Sequence, residues 1–439
     1  MNNEHLLKEI VRSQKSGVQK GICSVCSASG YVIEAAMDLA TQKQSIVLIE
    51  ATCNQINQFG GYTGMKPADF RDYVYSIAAK VGLPKDRIIL GGDHLGPNPW
   101  KDESSGSAME KACEMMKQYV LAGFTKIHID ASMHLADDSL LHPLPPEVVA
   151  ERGAVLCKAA EEAFKEVKEK NPASNPPVYV IGTEVPVPGG TQGTKEGLKV
   201  TEVSDFKKTI EISREAFLKY GLENAWENVV AVVVQPGVEF GDSMIHEYNH
   251  EEALRLCNSL KDIPSLVFEG HSTDYQTPCL LKSMVEDGIA ILKVGPALTF
   301  AAREALFMLN LIENELFEEN SKVRLSHFIE TLDKVMVANP KDWNKYYLGS
   351  DAEKKFARKY SMSDRCRYYM AMPEIQKSIS ILVNNLSSVI IPLPLISQYL
   401  PVQYRKIRSG LLKNNPVDLI KDKVRDVLEE YDFAVTPAK

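Results

Sequence analysis

The sequence has 439 residues, of which 44% are hydrophobic and 25% are charged, a composition that is ordinary for a globular protein. Its formal net charge is −8 and its basic residues form no run, so neither nucleic acid nor an anionic membrane is an expected partner. No apolar stretch reaches the roughly 18 residues that a membrane-spanning helix needs, and the first residues lack the pattern of a signal peptide. Eight cysteines without a repeating spacing favour reduced thiols and a cytoplasmic location.

Short apolar segments alternate with segments of helical periodicity along the first 300 residues. The predicted strands are 21–26, 45–50, 87–90, 126–130, 178–184, 229–234, 266–269 and 290–294. The predicted helices are 4–16, 31–42, 69–81, 107–122, 145–170, 203–220, 251–260 and 277–287. Eight such repeats predict an α/β protein with a closed (β/α)8 TIM barrel, whose usual length is about 250 residues. An open doubly wound sheet is the alternative, but the Gly-x-Gly-x-x-Gly motif typical of that fold is missing.

The alternation stops after Thr299, and helical periodicity continues towards the C-terminus. Residues 300–318 predict one long helix with an apolar face, and residues 323–439 are mostly helical in pattern. We therefore divide the chain into a (β/α)8 barrel at 1–310, which carries the active site, and a helical C-terminal extension at 311–439.

The stretch from Gly91 to Asn98 follows the third predicted strand and contains the pair Asp93-His94. Two glycines at its start let the backbone approach another element closely. An Asp-His pair at the carboxyl end of a buried strand can supply a general base beside a metal ligand. The alternative is a hydrogen-bonded pair that only stabilises the end of the strand. Because barrel enzymes build their active sites at this end, we favour the functional interpretation.

Polar side chains also follow the other predicted strands, and in a barrel they would converge on one pocket. These residues are Glu50, Asp130, Glu184, Gln235, Glu239, Glu269, His271 and Lys293. The side chains of His94 and His271, with Glu184 and Gln235, form a nitrogen and oxygen set suited to a divalent metal ion. His128 lies inside its strand, and we interpret it as a core or supporting residue.

Two features predict where a phosphate group would bind. Loops after the last two strands of many barrels bind phosphate through backbone N–H groups, which here places a site near Lys293. In the extension, Arg365 and Arg367 could reach the barrel mouth and clamp a phosphate bidentately, with a structural salt-bridge cluster as the alternative. A Walker-type loop is missing from the sequence, which disfavours the use of nucleoside triphosphates.

The longest of these motifs resemble one known family. They include LIEATCNQINQFGGYTGMKPADFR at 48–71, RIILGGDHLGPN at 87–98, IGTEVPVPGG at 181–190 and GHSTDYQT at 270–277. Along nearly its whole length the chain resembles the non-catalytic subunit family of D-tagatose-1,6-bisphosphate aldolase, which is itself similar to class II aldolases.

The resemblance implies a divalent metal held by histidines at barrel strand ends, with zinc expected and manganese, nickel or cobalt as alternatives. The pair Asp93-His94 matches the aldolase Asp-His pair, and His271 matches a later metal histidine. Gln235 stands where the aldolases have a further histidine, which favours either a non-catalytic protein or a ligand set that uses Glu184 and Gln235.

These interpretations give each candidate residue a role. The predicted catalytic residues are Asp93, Glu184 and Asp130. The predicted metal ligands are His94, His271, Glu184 and Gln235. The predicted substrate-binding residues are Glu50, Asn54, Glu239, Lys293, Ser272, Asp274 and Arg365.

Members of this family are also described as ketose or ketose-phosphate 4-epimerases, and we expect this activity for a ketohexose or its phosphate in the tagatose and fructose series. These sugars differ only at C4, and an aldolase breaks the C3–C4 bond. A metal at the C2 carbonyl would stabilise the enediolate left after cleavage, and C4 is inverted if the aldehyde turns before the bond re-forms. The alternative is an accessory subunit that stabilises a separate catalytic aldolase. The expected partners are therefore a ketose or its phosphate, an aldolase subunit and further copies of this chain.

Overall fold

The protein is described by a computed structural model that covers residues 5–141, 143–182 and 198–437. Its centre is a closed barrel of eight parallel strands in which neighbours in sequence pair with each other and the last strand pairs with the first. The strands are β1 Ile22–Cys26, β2 Val47–Thr52, β3 Ile88–Leu95, β4 Lys126–Ile129, β5 Val178–Ile181, β6 Val229–Val234, β7 Val267–Gly270 and β8 Ile289–Val294. The prediction of a (β/α)8 barrel is confirmed.

Helices surround this barrel and continue into the extension. Those that follow the first seven strands in order are Gly30–Lys43, Pro67–Val81, Ser105–Leu121, Pro146–Lys170, Val203–Lys219, His250–Ser259 and Pro278–Glu286. After β8 come Pro296–Phe317, Phe328–Ala338, Asp351–Tyr360, Pro373–Ser387, Leu393–Tyr399, Pro401–Arg408 and Pro416–Val435. Across the described ranges, none of the helices combines the length and the apolar character that crossing a bilayer demands.

The interior of the barrel changes from apolar to polar along the strands. Successive side chains of a strand point to opposite faces, so every second residue faces the barrel interior. Near the amino ends these residues are apolar, such as Leu48, Ile89 and Val267, and they pack against Leu7 of the helix Leu6–Lys15. This helix closes the amino-terminal end of the barrel with apolar side chains, which leaves the carboxyl ends of the strands for polar groups.

His5 precedes the closing helix and couples its stability to pH. Its Nδ1 accepts a hydrogen bond from the Leu7 N–H at 3.2 Å, and its Nε2 lies 3.0 Å from Thr125 Oγ1. Burial lowers the pKa of His5 from 6.5 to about 4. Because the folded state disfavours the protonated ring, the neutral ring's contribution is complete above pH 6.5 and is lost as the pH falls towards 4.

We expect the free energy of unfolding of His5→Asn, which keeps a capping side chain but cannot titrate, to fall less than that of the wild type as the pH is lowered from 6.5 to 4. From the size of the pKa shift, the two decreases should differ by on the order of 3 kcal/mol. Urea unfolding at a series of pH values measures it. Parallel stability curves for the two proteins would contradict the prediction.

The C-terminal extension returns to the barrel at its last helix. This helix packs against the helices on both sides of the seam between β8 and β1, which are Gly30–Lys43, Pro278–Glu286 and Pro296–Phe317. The carbonyl of Val435 accepts a hydrogen bond from the Gly21 N–H at 3.0 Å, directly before β1. The division of the chain at residue 310 stays a prediction about folding units.

Candidate functional site

The end of β3 departs from regular pairing at Asp93 and His94. β3 pairs with β4 through Gly91 and Gly92, and then through Leu95 in a shifted register. His94 has a φ of 46°, in the left-handed region that residues with a side chain seldom occupy. An irregularity of this kind lets two consecutive side chains face the same cavity, and such backbone strain is typical of functional sites.

Two glycines near this pair permit close approach of neighbouring chain segments. A β-carbon at Gly91 would lie 2.6 Å from Glu50 Cγ, and one at Gly96 would lie 1.7 Å from the Asp130 carbonyl oxygen. The close approach expected at Gly91 and Gly92 is confirmed, since a β-carbon at Gly92 would lie 3.0 Å from Tyr119 Cδ1. The sequence predicted that the Asp-His pair follows the third strand. Because β3 continues to Leu95, the pair lies within the strand instead.

Three histidines and one aspartate converge at the carboxyl end of the barrel. The ring centroids of His94 and His128 are 4.6 Å apart, those of His94 and His271 are 4.8 Å apart, and those of His128 and His271 are 5.1 Å apart. With Asp93, each of these residues offers one potential ligand atom, and the four atoms lie within 4.8 Å of one another. They come from β3, β4 and the loop after β7, so closure of the barrel brings them together.

Each of the three rings is also held from outside by a hydrogen-bond acceptor. The contacts are His94 Nδ1 to Asp130 Oδ2 at 2.9 Å, His128 Nε2 to the Gly182 carbonyl oxygen at 3.2 Å, and His271 Nε2 to Glu269 Oε1 at 2.9 Å. Assigned from these partners, the nitrogens in contact carry the protons. The second nitrogens of His94 and His271 then have the lone pair that binding of a metal requires. The second nitrogen of His128 is engaged within the site, because its Nδ1 accepts a hydrogen bond from the His94 N–H at 3.1 Å.

The protonation states suit the same purpose. Burial lowers the pKa of His128 to about 4 and that of His271 to about 3, so both rings are neutral near pH 7. Burial opposes ionisation of Asp130, but the hydrogen bond and the charge of His94 outweigh it and hold the pKa of Asp130 below its usual range. The imidazoles of His128 and His271 are thus neutral, and the Asp130 carboxylate beside His94 is ionised.

A charged layer lies one interior position closer to the amino ends of the strands. Lys126 Nζ is 2.6 Å from Glu50 Oε1 and 2.7 Å from Glu269 Oε2, and all three side chains are fully buried. Lys293 Nζ contacts the carboxylate of Asp93 and lies 3.8 Å from Glu269 Oε1. Burial lowers the pKa of Lys293. This layer supports the cluster from below and sets an amino group directly beside Asp93.

The donor set of the cluster fits a divalent metal ion. Imidazole nitrogens and a carboxylate oxygen are common ligands of zinc, and they also suit manganese, nickel and cobalt. The acceptors behind the rings are of the kind that orients metal-binding histidines in proteins. His94 and His271 would hold the ion, with His128 behind His94 and the Asp93 carboxylate beside them.

The structure brings several of the predicted site residues into this region. They are Asp93, His94, Asp130, His271, Lys293 and Glu50. Glu184, predicted as a ligand and a catalytic residue, lies outside the described residues. The amide oxygen of Gln235 accepts hydrogen bonds from the N–H groups of Gly237 at 2.8 Å and Val238 at 2.9 Å. That oxygen is therefore engaged in its own loop, and a ligand role for Gln235 stays a prediction.

The predicted substrate-binding residues occupy different surroundings. Glu239 is buried, and its Oε1 accepts a hydrogen bond from the Phe240 N–H at 2.9 Å. Ser272 follows His271 with a left-handed φ of 52° and is buried. Asn54 is exposed in the loop after β2. Their roles towards a substrate stay predictions.

Arg365 makes its contacts inside the extension. Its Nη1 donates a hydrogen bond to the Asp342 carbonyl at 2.9 Å, and its guanidinium lies 3.1 Å from the ring centroid of Tyr346. Both interactions hold Arg365 in the helical segment. For the predicted contact with a phosphate, the guanidinium would have to bind the anion in addition to these two partners.

The sequence interpreted His128 as a core or supporting residue, and the hydrogen bond that its Nδ1 accepts from the His94 N–H at 3.1 Å agrees with a supporting role. The interpretation as a core residue was correct in placing it on the face opposite to Ile127 and Ile129. In a closed barrel that face is the interior, where Lys126, His128 and Asp130 follow one another at every second position. This alternation of polar residues along β4 was the signal that could have identified His128.

Comparisons with known proteins agree with this architecture. A family model described as "D-tagatose-1,6-bisphosphate aldolase subunit GatZ/KbaZ-like" matches residues 7–436. The chain is 51% identical to D-tagatose-1,6-bisphosphate aldolase subunit GatZ of Salmonella agona over 431 residues, which is 98% of this chain and 99% of that protein. The same subunit of Salmonella typhimurium is 50% identical, with the same coverage of both chains.

Among solved structures, a protein described as a probable tagatose 6 phosphate kinase from Sinorhizobium meliloti is 43% identical. It superimposes with a TM-score of 0.86 over 95% of this chain and 100% of that chain. Its barrel architecture is therefore shared along nearly the whole length of both proteins. By the extent of the family match and the identity to its curated members, this chain belongs to the GatZ/KbaZ-like family of D-tagatose-1,6-bisphosphate aldolase subunits.

Proposed function

We propose that this protein is an accessory subunit of a D-tagatose-1,6-bisphosphate aldolase and that its own barrel binds a divalent metal and a ketose. Support for the subunit role comes from the description of relatives that match over almost the full chain. Support for the metal and ketose site comes from one observation, the convergence of three histidines and Asp93 within 4.8 Å. Zinc is the proposed ion, with manganese, nickel and cobalt as alternatives.

Reconstitution with a catalytic aldolase chain tests the subunit role. We expect this protein to raise the activity of a D-tagatose-1,6-bisphosphate aldolase or to slow its thermal inactivation, because a subunit that binds the folded partner stabilises it by mass action. The measurement is aldol cleavage against time at increasing ratios of the two chains. An equal mass of an unrelated protein is the control, and an identical effect of both would contradict the proposal.

The intact Asp-His cluster favours a second candidate function, 4-epimerisation of a ketohexose or its phosphate. A bound divalent ion would supply Lewis-acid polarisation of the ketose carbonyl. Asp93 would accept the proton of the C4 hydroxyl as the C3–C4 bond breaks, and would return it after the aldehyde has turned. Lys293, in contact with Asp93, would hold that carboxylate in place through its amino group.

Asp93→Asn separates the base from the metal site. We expect the variant to keep its metal but to lose epimerisation of tagatose or tagatose 6-phosphate by about 10²–10⁴-fold, because the amide cannot accept the proton. Elemental analysis and chromatography of the sugar products measure the two properties. If the wild type, loaded with each of the four metals, forms no C4 epimer from either sugar, the epimerase candidate is wrong and the accessory role remains.

The kinase description of the Sinorhizobium meliloti protein is not part of this proposal. The sequence contains no Walker-type loop, and the buried cluster offers metal ligands and a base in place of a nucleotide site. We further propose a cytoplasmic location and assembly of the chain into homo-oligomers, both of which follow from the sequence interpretation.

A further inference from the structure

The phosphate-binding position of many barrels is filled here by a side chain of the protein itself. The backbone N–H groups of Gly295 and Ala297, at the start of the helix after β8, donate hydrogen bonds to Asp274 Oδ1 at 3.0 and 2.8 Å. Asp274 lies in the loop after β7 and is buried. Since its carboxylate uses the amides that would otherwise bind a phosphate, an anionic substrate must find another positive group.

The extension places a segment across the barrel mouth where such a group could act. This mouth segment comprises residues 361–368. The Met362 N–H donates to the Asp242 carbonyl at 2.9 Å, and the Met362 carbonyl accepts from Tyr275 Oη at 2.6 Å. The ring centroids of Tyr368 and Tyr62 are 5.1 Å apart. The segment thus contacts the loops that follow β2, β6 and β7.

A further contact fixes the segment on the helix after β8. Asp364 accepts hydrogen bonds from Thr299 Oγ1 at 2.6 Å and from Arg303 Nε at 3.2 Å, and both donors lie on that helix. The mouth segment is therefore tied to four sides of the opening. A residue on it is held in a fixed position relative to the metal cluster below.

Arg367 is the residue of the mouth segment with unused donors. Its Nη1 donates to the carbonyls of Ser363 and Asp364, the latter at 3.0 Å, and its Nη2 donates to Tyr368 Oη at 3.0 Å. A guanidinium has five N–H groups, so these bonds fix its plane and leave its Nε–H and one Nη2–H for an acceptor. In the part of the chain that the structure describes, no carboxylate is hydrogen-bonded to this guanidinium.

The nearby carboxylates already have other partners. Asp364 binds Arg303 and Thr299, and Asp274 binds two backbone amides. Burial raises the pKa of Asp274 to about 6, while those amides and the charge of Arg367 act in the opposite direction. Arg367 therefore lies close enough to the loop after β7 to act on groups there, yet it forms no ion pair with Asp274.

We propose that Arg367 recognises the phosphate group of a phosphorylated ketose at the barrel mouth. This proposal rests on the proposed function, because it assumes that the sugar occupies the metal cluster. The oriented Nε–H and Nη2–H would donate two hydrogen bonds to one phosphate monoester, the geometry in which arginine binds phosphate best. The C-terminal extension would in this way supply a specificity-determining residue to a site built by the barrel.

Calorimetric titration of the full-length, metal-loaded protein tests this role. The probes are D-tagatose 6-phosphate, D-tagatose and inorganic phosphate. Arg367→Gln removes the charge, and Arg408→Gln is the matched control because Arg408 is exposed and its Nη1 donates only to Tyr404 Oη within one helix. We expect Arg367→Gln to bind tagatose 6-phosphate and inorganic phosphate roughly 10- to 100-fold more weakly, from the strength of charge-assisted hydrogen bonds. Binding of free tagatose should not change.

Two results would overturn the proposal. One is equal binding of inorganic phosphate by the wild type and Arg367→Gln, or no binding by either, since the anion site would then not depend on Arg367. The other is an equal loss of affinity for tagatose and its 6-phosphate, which would show a structural role. Arg367→Lys, which keeps the charge but not the fork, should recover part of the phosphate affinity if the variant is folded. Inorganic phosphate binding needs neither an aldolase partner nor turnover. A failure of the proposed function would therefore be distinguishable from a failure of this proposal.

Discussion

Lys126→Met is expected to lower the free energy of unfolding by about 3–5 kcal/mol, the usual cost of removing one member of a buried ion network. Lys126 is fully buried between the carboxylates of Glu50 and Glu269, at 2.6 and 2.7 Å. Burial acts against its charge, but the two carboxylates outweigh this and raise the pKa of Lys126 above its ordinary value. Methionine fills a similar volume, but it leaves the buried carboxylate of Glu50 without this cation and that of Glu269 with only the more distant Lys293, at 3.8 Å.

The pH dependence of this loss identifies its cause. In the variant at least one of the two carboxyl groups should take up a proton on folding, so its pKa in the folded state rises above that of the unfolded chain. The loss relative to wild type should then shrink as the pH falls from 7 towards 4.5. Lys219→Met is the control, because Lys219 is 67% exposed in its ion pair with Glu151 and its removal should cost far less stability than that of Lys126. Urea unfolding of both variants measures the differences, and equal losses would contradict the prediction.

Removal of any one histidine of the cluster is expected to abolish stoichiometric metal binding. His94→Ala and His271→Ala each delete an imidazole ligand, and His128→Ala removes the ring that accepts the hydrogen bond of the His94 N–H, so each variant should hold a divalent ion far less tightly. Elemental analysis of protein purified in the presence of zinc should show a fall from a full complement to a trace. The same variants should show no metal-dependent rise in melting temperature.

His250→Ala is the control for this series. His250 is an exposed histidine that pairs with Asp287 at 2.6 Å, away from the barrel mouth, so its removal should leave the metal content unchanged. If His271→Ala keeps a full metal complement, the site is built from other residues. If only His128→Ala keeps it, His128 has a structural role and the remaining ligand lies elsewhere.

The sequence predicted the barrel because each strand is an apolar run followed by a polar residue and a helix. The same pattern placed Asp93, His94 and His271 at one end of the fold, since the carboxyl ends of parallel strands meet there. Periodicity could not show the irregular pairing of β3, which lets two adjacent side chains face the same cavity. It also could not show that Gln235 uses its oxygen on Gly237 and Val238, because such a bond depends on the conformation of the loop.

The ion network around Lys126 was equally hidden from the sequence. A lysine at the start of a strand is usually exposed, and only closure of the barrel places it between Glu50 and Glu269. The extension presents the same difficulty. Its helices were predicted, but a contact such as that of Tyr431 Oη with the Thr273 carbonyl at 2.8 Å joins residues 158 positions apart. Such contacts are set by packing and leave no local pattern.

The last helix of the extension gives the chain a late step in its assembly. Pro416–Val435 covers the seam between the first and last strands, and Val435 bonds to the residue next to β1. During synthesis the first strand is made about 400 residues before this helix, so the seam has no cover until the helix has been made. Contacts of such long sequence separation form slowly, and the uncovered apolar seam is a natural place for a chaperone to bind in the meantime. Loss of the final turns by proteolysis would expose this seam between the first and last strands.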